Sequence, residues 1–268
     1  MISQNLKDVP ETLLIPLWAR ATETERPDHI IKDDLALSMM RQIDFDFSKL
    51  DKEWVTRLFV VVRTEILDRS VKAFIEKYPD AIIINLGCGL DTRFFRIDNG
   101  SICWYDLDLP EPIRVKSQFF AETDRYKMIA RSVFDEAWIN DIARTDKPVL
   151  IIAEGLLMYF TEQEVKGLMN TLVASFPGAE MLFEMVTPAM AKYSEQNASK
   201  RFQMAAIFHW GINGGKDMEN YNGHIRYIAE WNYFDYHRNR WGMMRWLSLI
   251  PQYRNSYCNR IVHLAFKK

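Results

Sequence analysis

The pattern of apolar positions changes character along the chain. In the first third it is helical: between Trp54 and Tyr78, apolar side chains recur at Leu58, Val61, Val62 and Ile66, spaced as on a helix that buries one face, and Pro79 ends the run. A different rhythm follows. Short apolar runs, at Ala81 to Leu86, Ile102 to Leu107, Tyr126 to Ala130, Val149 to Ala153 and Ala179 to Val186, predict strands. Between them Glu111 to Glu122, Asp135 to Ala143 and Glu162 to Phe176 read as helices, the last opened by a capping box of Thr161 and Glu164.

Strands that alternate with helical crossovers imply an α/β fold, a doubly wound and mostly parallel sheet whose ligands bind beyond the C-terminal strand ends. The chemistry is therefore expected in the loops that leave each strand. Residues 202–257 hold thirteen of the thirty-five aromatics and precede an alternating stretch, Ser256 to Phe266, that suits a last strand. This region reads either as a lid over a pocket or as a layer packed on the sheet. One domain is expected over 1–268, with a helical N-terminal cap in 1–80, a cofactor core in 81–186 and the lid and last strands in 187–268. No repeat appears, and the mixed composition near Met190 to Gly215 does not make a linker.

Composition narrows the partners. With 34 basic and 36 acidic residues the net charge is −2, which offers neither nucleic acid nor an anionic membrane an overall electrostatic footprint. Three separated cysteines, Cys88, Cys103 and Cys258, suit free thiols in a reducing compartment. Residues 1–10 lack the basic start and apolar core of a signal peptide, and no apolar run is long enough for a bilayer, so the expected address is the cytoplasm. The five histidines show no metal-ligand spacing, and no metal is expected. Nucleophile-elbow, phosphate-loop and zinc-protease motifs are absent too.

The loop after the first strand reads Asn85-Leu86-Gly87-Cys88-Gly89-Leu90-Asp91-Thr92-Arg93. Two glycines one residue apart turn the chain sharply and bring bare backbone to a ligand. Thr92 stands where a dinucleotide fingerprint needs its third glycine, so a nucleoside without phosphates fits better than NAD. About twenty residues on, Asp106 and Asp108 share a strand face, and either carboxylate suits ribose hydroxyls. Asp108 is preferred, because it is nearer the strand end. Ser132 faces two readings, an adenine contact or a helix cap, and Asp135 competes for the cap. Glu154, at the end of the apolar run Val149 to Ala153, is costly to bury without a cationic or donor partner and is expected to face the ligand crevice; a salt bridge to an arginine such as Arg63 or Arg93 is the alternative, and the two are compatible.

These segments, together with Ala153-Glu154-Gly155-Leu156-Leu157-Met158-Tyr159 and the start Val9-Pro10-Glu11-Thr12-Leu13-Leu14, resemble the leucine carboxyl methyltransferase family, and within it the bacterial branch of tetracenomycin-type polyketide carboxyl O-methyltransferases. The resemblance implies a Rossmann-like class I methyltransferase using S-adenosyl-L-methionine. By position it assigns Arg63, and more weakly Arg20, to the cofactor carboxylate, and Gly87 and Gly89 to its methionine part. Asp108 falls to the ribose, Ser132 and Val133 to the adenine, and Glu154 to the amino end. Family members usually carry an aspartate where Ser132 stands.

No general base announces itself. A carboxylate acceptor on a small, polyketide-like acid is already ionised at neutral pH and attacks a sulfonium methyl without one. A phenol or hydroxyl acceptor would need Glu154, His209 or Tyr159 as base. A protein C-terminus is a further acceptor, and a nicotinamide-dependent oxidoreductase or a cofactor-binding protein without catalysis are rivals of other classes.

Overall fold

The computed structural model describes residues 11–142, 146–197 and 207–268. The family-like residues Val9 and Pro10, and Ala143 at the end of one expected helix, lie outside them. Three helices come first: α1 (Leu14–Thr24), α2 (Asp34–Gln42) and the long α3 (Trp54–Lys77). On α3, Leu58, Val61, Val62 and Ile66 are buried as their spacing requires.

Five parallel strands follow, β1 (Ile82–Leu86), β2 (Cys103–Asp108), β3 (Tyr126–Ala130), β4 (Val149–Ala153) and β5 (Glu180–Met185). Their apolar runs are nearly continuous because both faces of the sheet are covered. The connections carry α4 (Arg93–Ile97), α5 (Pro110–Lys116) and α6 (Glu162–Ser175). The capping box is present, with Thr161 and Glu164 each bonding the other's backbone N–H. Two helices differ from expectation. α5 stops at Lys116, six residues early, and the stretch after Asp135 is a 3-10 turn, Glu136–Asp141, started by the Asp135 side chain accepting from Ala137 N–H.

After α7 (Pro188–Asn197) the chain forms β6 (Ile225–Asn232), then two short helices, α8 (Met244–Leu247) and α9 (Pro251–Ser256), and returns as β7 (Arg260–Phe266). The expected last strand thus loses its first residues to the end of α9 and its loop. β6 was not expected: its residues are mostly half-exposed and form no apolar run. The strand order is β3-β2-β1-β4-β5-β7-β6, with β7 antiparallel to both neighbours.

One core lies between the sheet and α1 to α4, and also takes Tyr233, Phe234 and Trp241 from the aromatic C-terminal region. The second lies between the opposite face and α6, and takes Trp210. Those aromatics are sheet-packing residues. Among the described residues no helix is long and apolar enough to cross a membrane.

Candidate active site

The strand ends of β1, β2 and β4 open onto a cavity of about 490 Å³, within the roughly 300–1,000 Å³ of small-molecule sites. Gly87 and Gly89 enter its wall from the loop after β1, Asp108 from the end of β2 and Glu154 from the end of β4, while α1 and α3 bring Arg20 and Arg63. Ser132 and Val133 do not reach it. The Ser132 hydroxyl accepts from Phe134 N–H at 3.2 Å, and Val133 is buried in the second core. His209 is exposed outside the lining, whereas Tyr159 is part of it.

Both loop glycines adopt left-handed backbone, with φ of +63° at Gly87 and +48° at Gly89. A Cβ would stand 2.8 Å from Leu156 Cδ1 at the first and 2.9 Å from Leu13 Cδ2 at the second. Neither position tolerates a side chain at ease, so backbone alone faces the cavity there.

Alternation along β2 sets Trp104, Asp106 and Asp108 on one face, and their surroundings give the two acids different work. Asp106 is saturated: Oδ1 accepts from Asn85 Nδ2 and Trp104 Nε1, while Oδ2 accepts from Tyr126 OH and lies 2.5 Å from Lys116 Nζ. It is a core fastening. Among the described residues Asp108 accepts two backbone bonds, from Gly89 N–H to Oδ2 and from Leu109 N–H to Oδ1, both 2.7 Å. Each oxygen keeps a lone pair for another donor. Burial pushes the Asp108 carboxyl above its ordinary value, against those two bonds and the nearby Lys116.

Glu154 has both of the arginines that its position called for. Arg93 Nη2 donates to Oε2 at 2.6 Å, and Arg63 Nε lies 2.7 Å from Oε1 but out of line for a hydrogen bond. Arg63 Nη1 donates to Glu184 Oε2 at 2.6 Å, and Glu184 Oε1 accepts from Tyr233 and Asn259. Arg93 also reaches Asp68 and Asp91, Arg96 spans Asp68 and Asp33, and Asp33 accepts from Arg20 and Thr92. Burial works against charge throughout this chain of ion pairs, but the arginines outweigh it and hold Asp33, Asp91 and Glu154 below their usual range.

Sequence reasoning missed most of this network, naming Arg63 and Arg93 alone as partners for Glu154. A signal was present in Glu184, a carboxylate inside the apolar run Met181 to Val186. Thr92, which replaces a dinucleotide-type glycine, acts differently, since its hydroxyl, 2.5 Å from Asp33, ties the glycine loop to the start of α2. No group of three or more metal-ligating side chains occurs among the described residues.

A family model described as leucine carboxyl methyltransferase matches residues 14–173, more than half of the chain. The chain belongs to the leucine carboxyl methyltransferase family. It is an S-adenosyl-L-methionine-dependent methyltransferase, and the nicotinamide reading falls away. Among relatives of this family member, the tetracenomycin polyketide synthesis O-methyltransferase TcmP of Streptomyces glaucescens is 32% identical over 86% of this chain and 85% of its own. The S-adenosyl-L-methionine-dependent methyltransferase dpfgK of Gibberella zeae is 29% identical over 83% and 81%.

Solved structures agree on the fold, that of Rossmann-like class I methyltransferases. A Thermobifida fusca protein assigned as a methyltransferase superposes with a TM-score of 0.61 at 13% identity, covering 93% of this chain and 94% of that one. The magnesium protoporphyrin IX methyltransferase of Synechocystis, solved with S-adenosylhomocysteine, gives 0.51 at 10% identity, over 87% and 94%.

Proposed function

We propose that this family member methylates the carboxylate of a small, apolar, polyketide-like acid. The observation that carries the reading is the state of the groups able to act as a base. Glu154 is held ionised between Arg63 and Arg93, where taking up a proton would leave two buried guanidinium groups short of a partner. Tyr159 has its phenol pushed up to about 12 by burial and by the nearby Glu184, so it keeps its proton at neutral pH. His209 stands outside the lining. An acceptor that is already ionised suits such a site.

The cavity's residues fit the cofactor by chemistry. Arg63 and Glu154 side by side present a cation and an anion, the complement of an amino-acid zwitterion, with Arg20 as a further cation. Gly87 and Gly89 admit close approach, and Asp108 retains acceptor capacity for vicinal hydroxyls. Bound there, S-adenosyl-L-methionine supplies an electrophilic sulfonium methyl. The protein's part is then alignment in a cavity sheltered by Leu13, Leu156 and Tyr159, worth up to roughly 7–11 kcal/mol in well-oriented systems. The O-methyltransferase role named for the Streptomyces glaucescens relative supports an oxygen acceptor.

The test is the product's bond. A methyl ester releases methanol in mild alkali, whereas a methyl ether is inert. Ester product with a flat kcat from pH 6 to 9 is expected; an alkali-stable product with a bell-shaped profile would overturn the proposal.

A further inference from the structure

The net charge of −2 averages over a segregated distribution. Residues 236–268 contain five arginines and two lysines and no acidic side chain. The connection between β6 and β7 lies inside this stretch. Because Asn232 at the end of β6 and Met185 at the end of β5 both pair with Arg260, that connection sits at the C-terminal rim of the parallel strands, the rim that carries the cavity.

The same connection exposes a concentrated apolar surface. Met243 is 82% exposed, Trp246 62%, Leu249 56% and Ile250 52%, with Leu247 beside them. Met243, Trp246, Leu247 and Ile250 follow one helical face, and Trp246 N–H, Leu249 N–H and Ile250 N–H bond back to the carbonyls of Met243, Trp246 and Leu247. Trp54 on α3 adjoins it, within 3.6 Å of where a Cβ on Gly242 would stand. Of the surrounding cations, Arg240, Arg254 and Arg260 are matched by Glu23, Asp235 and Glu230. Arg238 and Arg245 are exposed and make no ion pair among the described residues, and the Arg245 guanidinium lies 4.8 Å from the Trp246 ring centre.

We propose that this surface docks the enzyme on an anionic phospholipid membrane. Side chains this exposed project from the protein, as insertion among acyl chains requires. A tryptophan backed by an arginine suits the boundary between hydrocarbon and headgroups. Unmatched guanidinium groups then meet lipid phosphates. Self-association is opposed by the charge, since a second copy would bring the same unmatched cations to the contact. The connection shares the C-terminal rim of the sheet with the cavity, whose acceptor, if apolar, would concentrate in the lipid. The docking itself does not depend on the acceptor proposed above.

Sedimentation of the full chain with phosphatidylcholine vesicles, with and without phosphatidylglycerol, tests it. Binding is expected only to vesicles containing phosphatidylglycerol, and high salt should release it. Arg238→Gln with Arg245→Gln should weaken partitioning about 25-fold, at roughly fivefold for each basic residue. Trp246→Ser with Leu249→Ser should abolish it, with melting temperature and S-adenosyl-L-methionine affinity unchanged. No binding, or equal binding to both vesicles, would overturn the inference. So would a dimer in sedimentation velocity that Trp246→Ser dissociates, or binding that both variant pairs leave intact.

Discussion

Arg93 and Glu154 meet at 2.6 Å, and that bond joins the glycine loop after β1 to the end of β4 across the mouth of the sheet. Removing the carboxylate takes one of three anionic partners from Arg93, which is 1% exposed and keeps Asp68 and Asp91, and leaves Arg63 with Glu184 alone. Glu154→Ala is therefore expected to lower unfolding free energy by about 1–3 kcal/mol, the cost of removing one partner from buried charged groups that keep others. Urea denaturation measures it, and a loss below about 1 kcal/mol would show that solvent already compensates the pair.

Asp108→Asn should weaken binding of S-adenosyl-L-methionine by about 1.5–3 kcal/mol, the worth of a hydrogen bond to a charged group, while Asp106→Asn should act on stability. Because burial raises the Asp108 carboxyl, affinity of the wild type should fall in mild acid as this group takes up its proton, and Asp108→Asn should flatten that dependence. Calorimetry across a pH series reads both effects.

Acid should unfold the protein through its ion-pair network. Unfolded aspartyl and glutamyl groups titrate near 3.8 and 4.5, while Asp33, Asp91 and Glu154 titrate lower in the fold. Stability from these groups is complete above the unfolded values. As pH falls below them the unfolded chain binds protons that the folded chain refuses, and stability drops until the folded values are passed. Asp108, shifted the other way, opposes this weakly. Midpoints of thermal unfolding between pH 6 and 3 should fall, and Glu154→Ala should reduce the slope.

Gly87→Ala joins two penalties, left-handed backbone and a Cβ 2.8 Å from Leu156 Cδ1. A destabilisation of about 1–2 kcal/mol from the backbone is expected, with more from the contact. Adding Leu156→Ala should relieve the contact part and leave the backbone part. Comparison of the single and double variants by chemical denaturation separates the two.

Much of the frame was legible because burial on both faces writes parallel strands as unbroken apolar runs: the expected bounds of β3 and β4 match, and β1, β2 and β5 differ by a residue or so. β6 was not, since an edge strand with half-exposed side chains carries Arg226 and Glu230 among its apolar positions. At the site, the glycine loop and Asp108 were legible from strand ends and spacing. The arginine network was not, because its bonds join residues as far apart as Arg63 and Glu184, and sequence distance says nothing about which charges a sheet will bring together. Ser132 had an equal claim as a local cap, but the cap is Asp135, and the Ser132 hydroxyl instead holds the turn before it by accepting from Phe134 N–H.

The strand order carries a consequence for biosynthesis. β6 is translated before β7, yet among the described residues β7 is its sole partner in the sheet and the bridge between it and β5. An emerging chain can close β1 to β5 by parallel pairing, but β6 then waits with both edges open, and the edge of β5 waits with it. A ribosome pause in that interval would expose two unpaired strands at once, a hazard for aggregation that ends when residues 260–266 arrive.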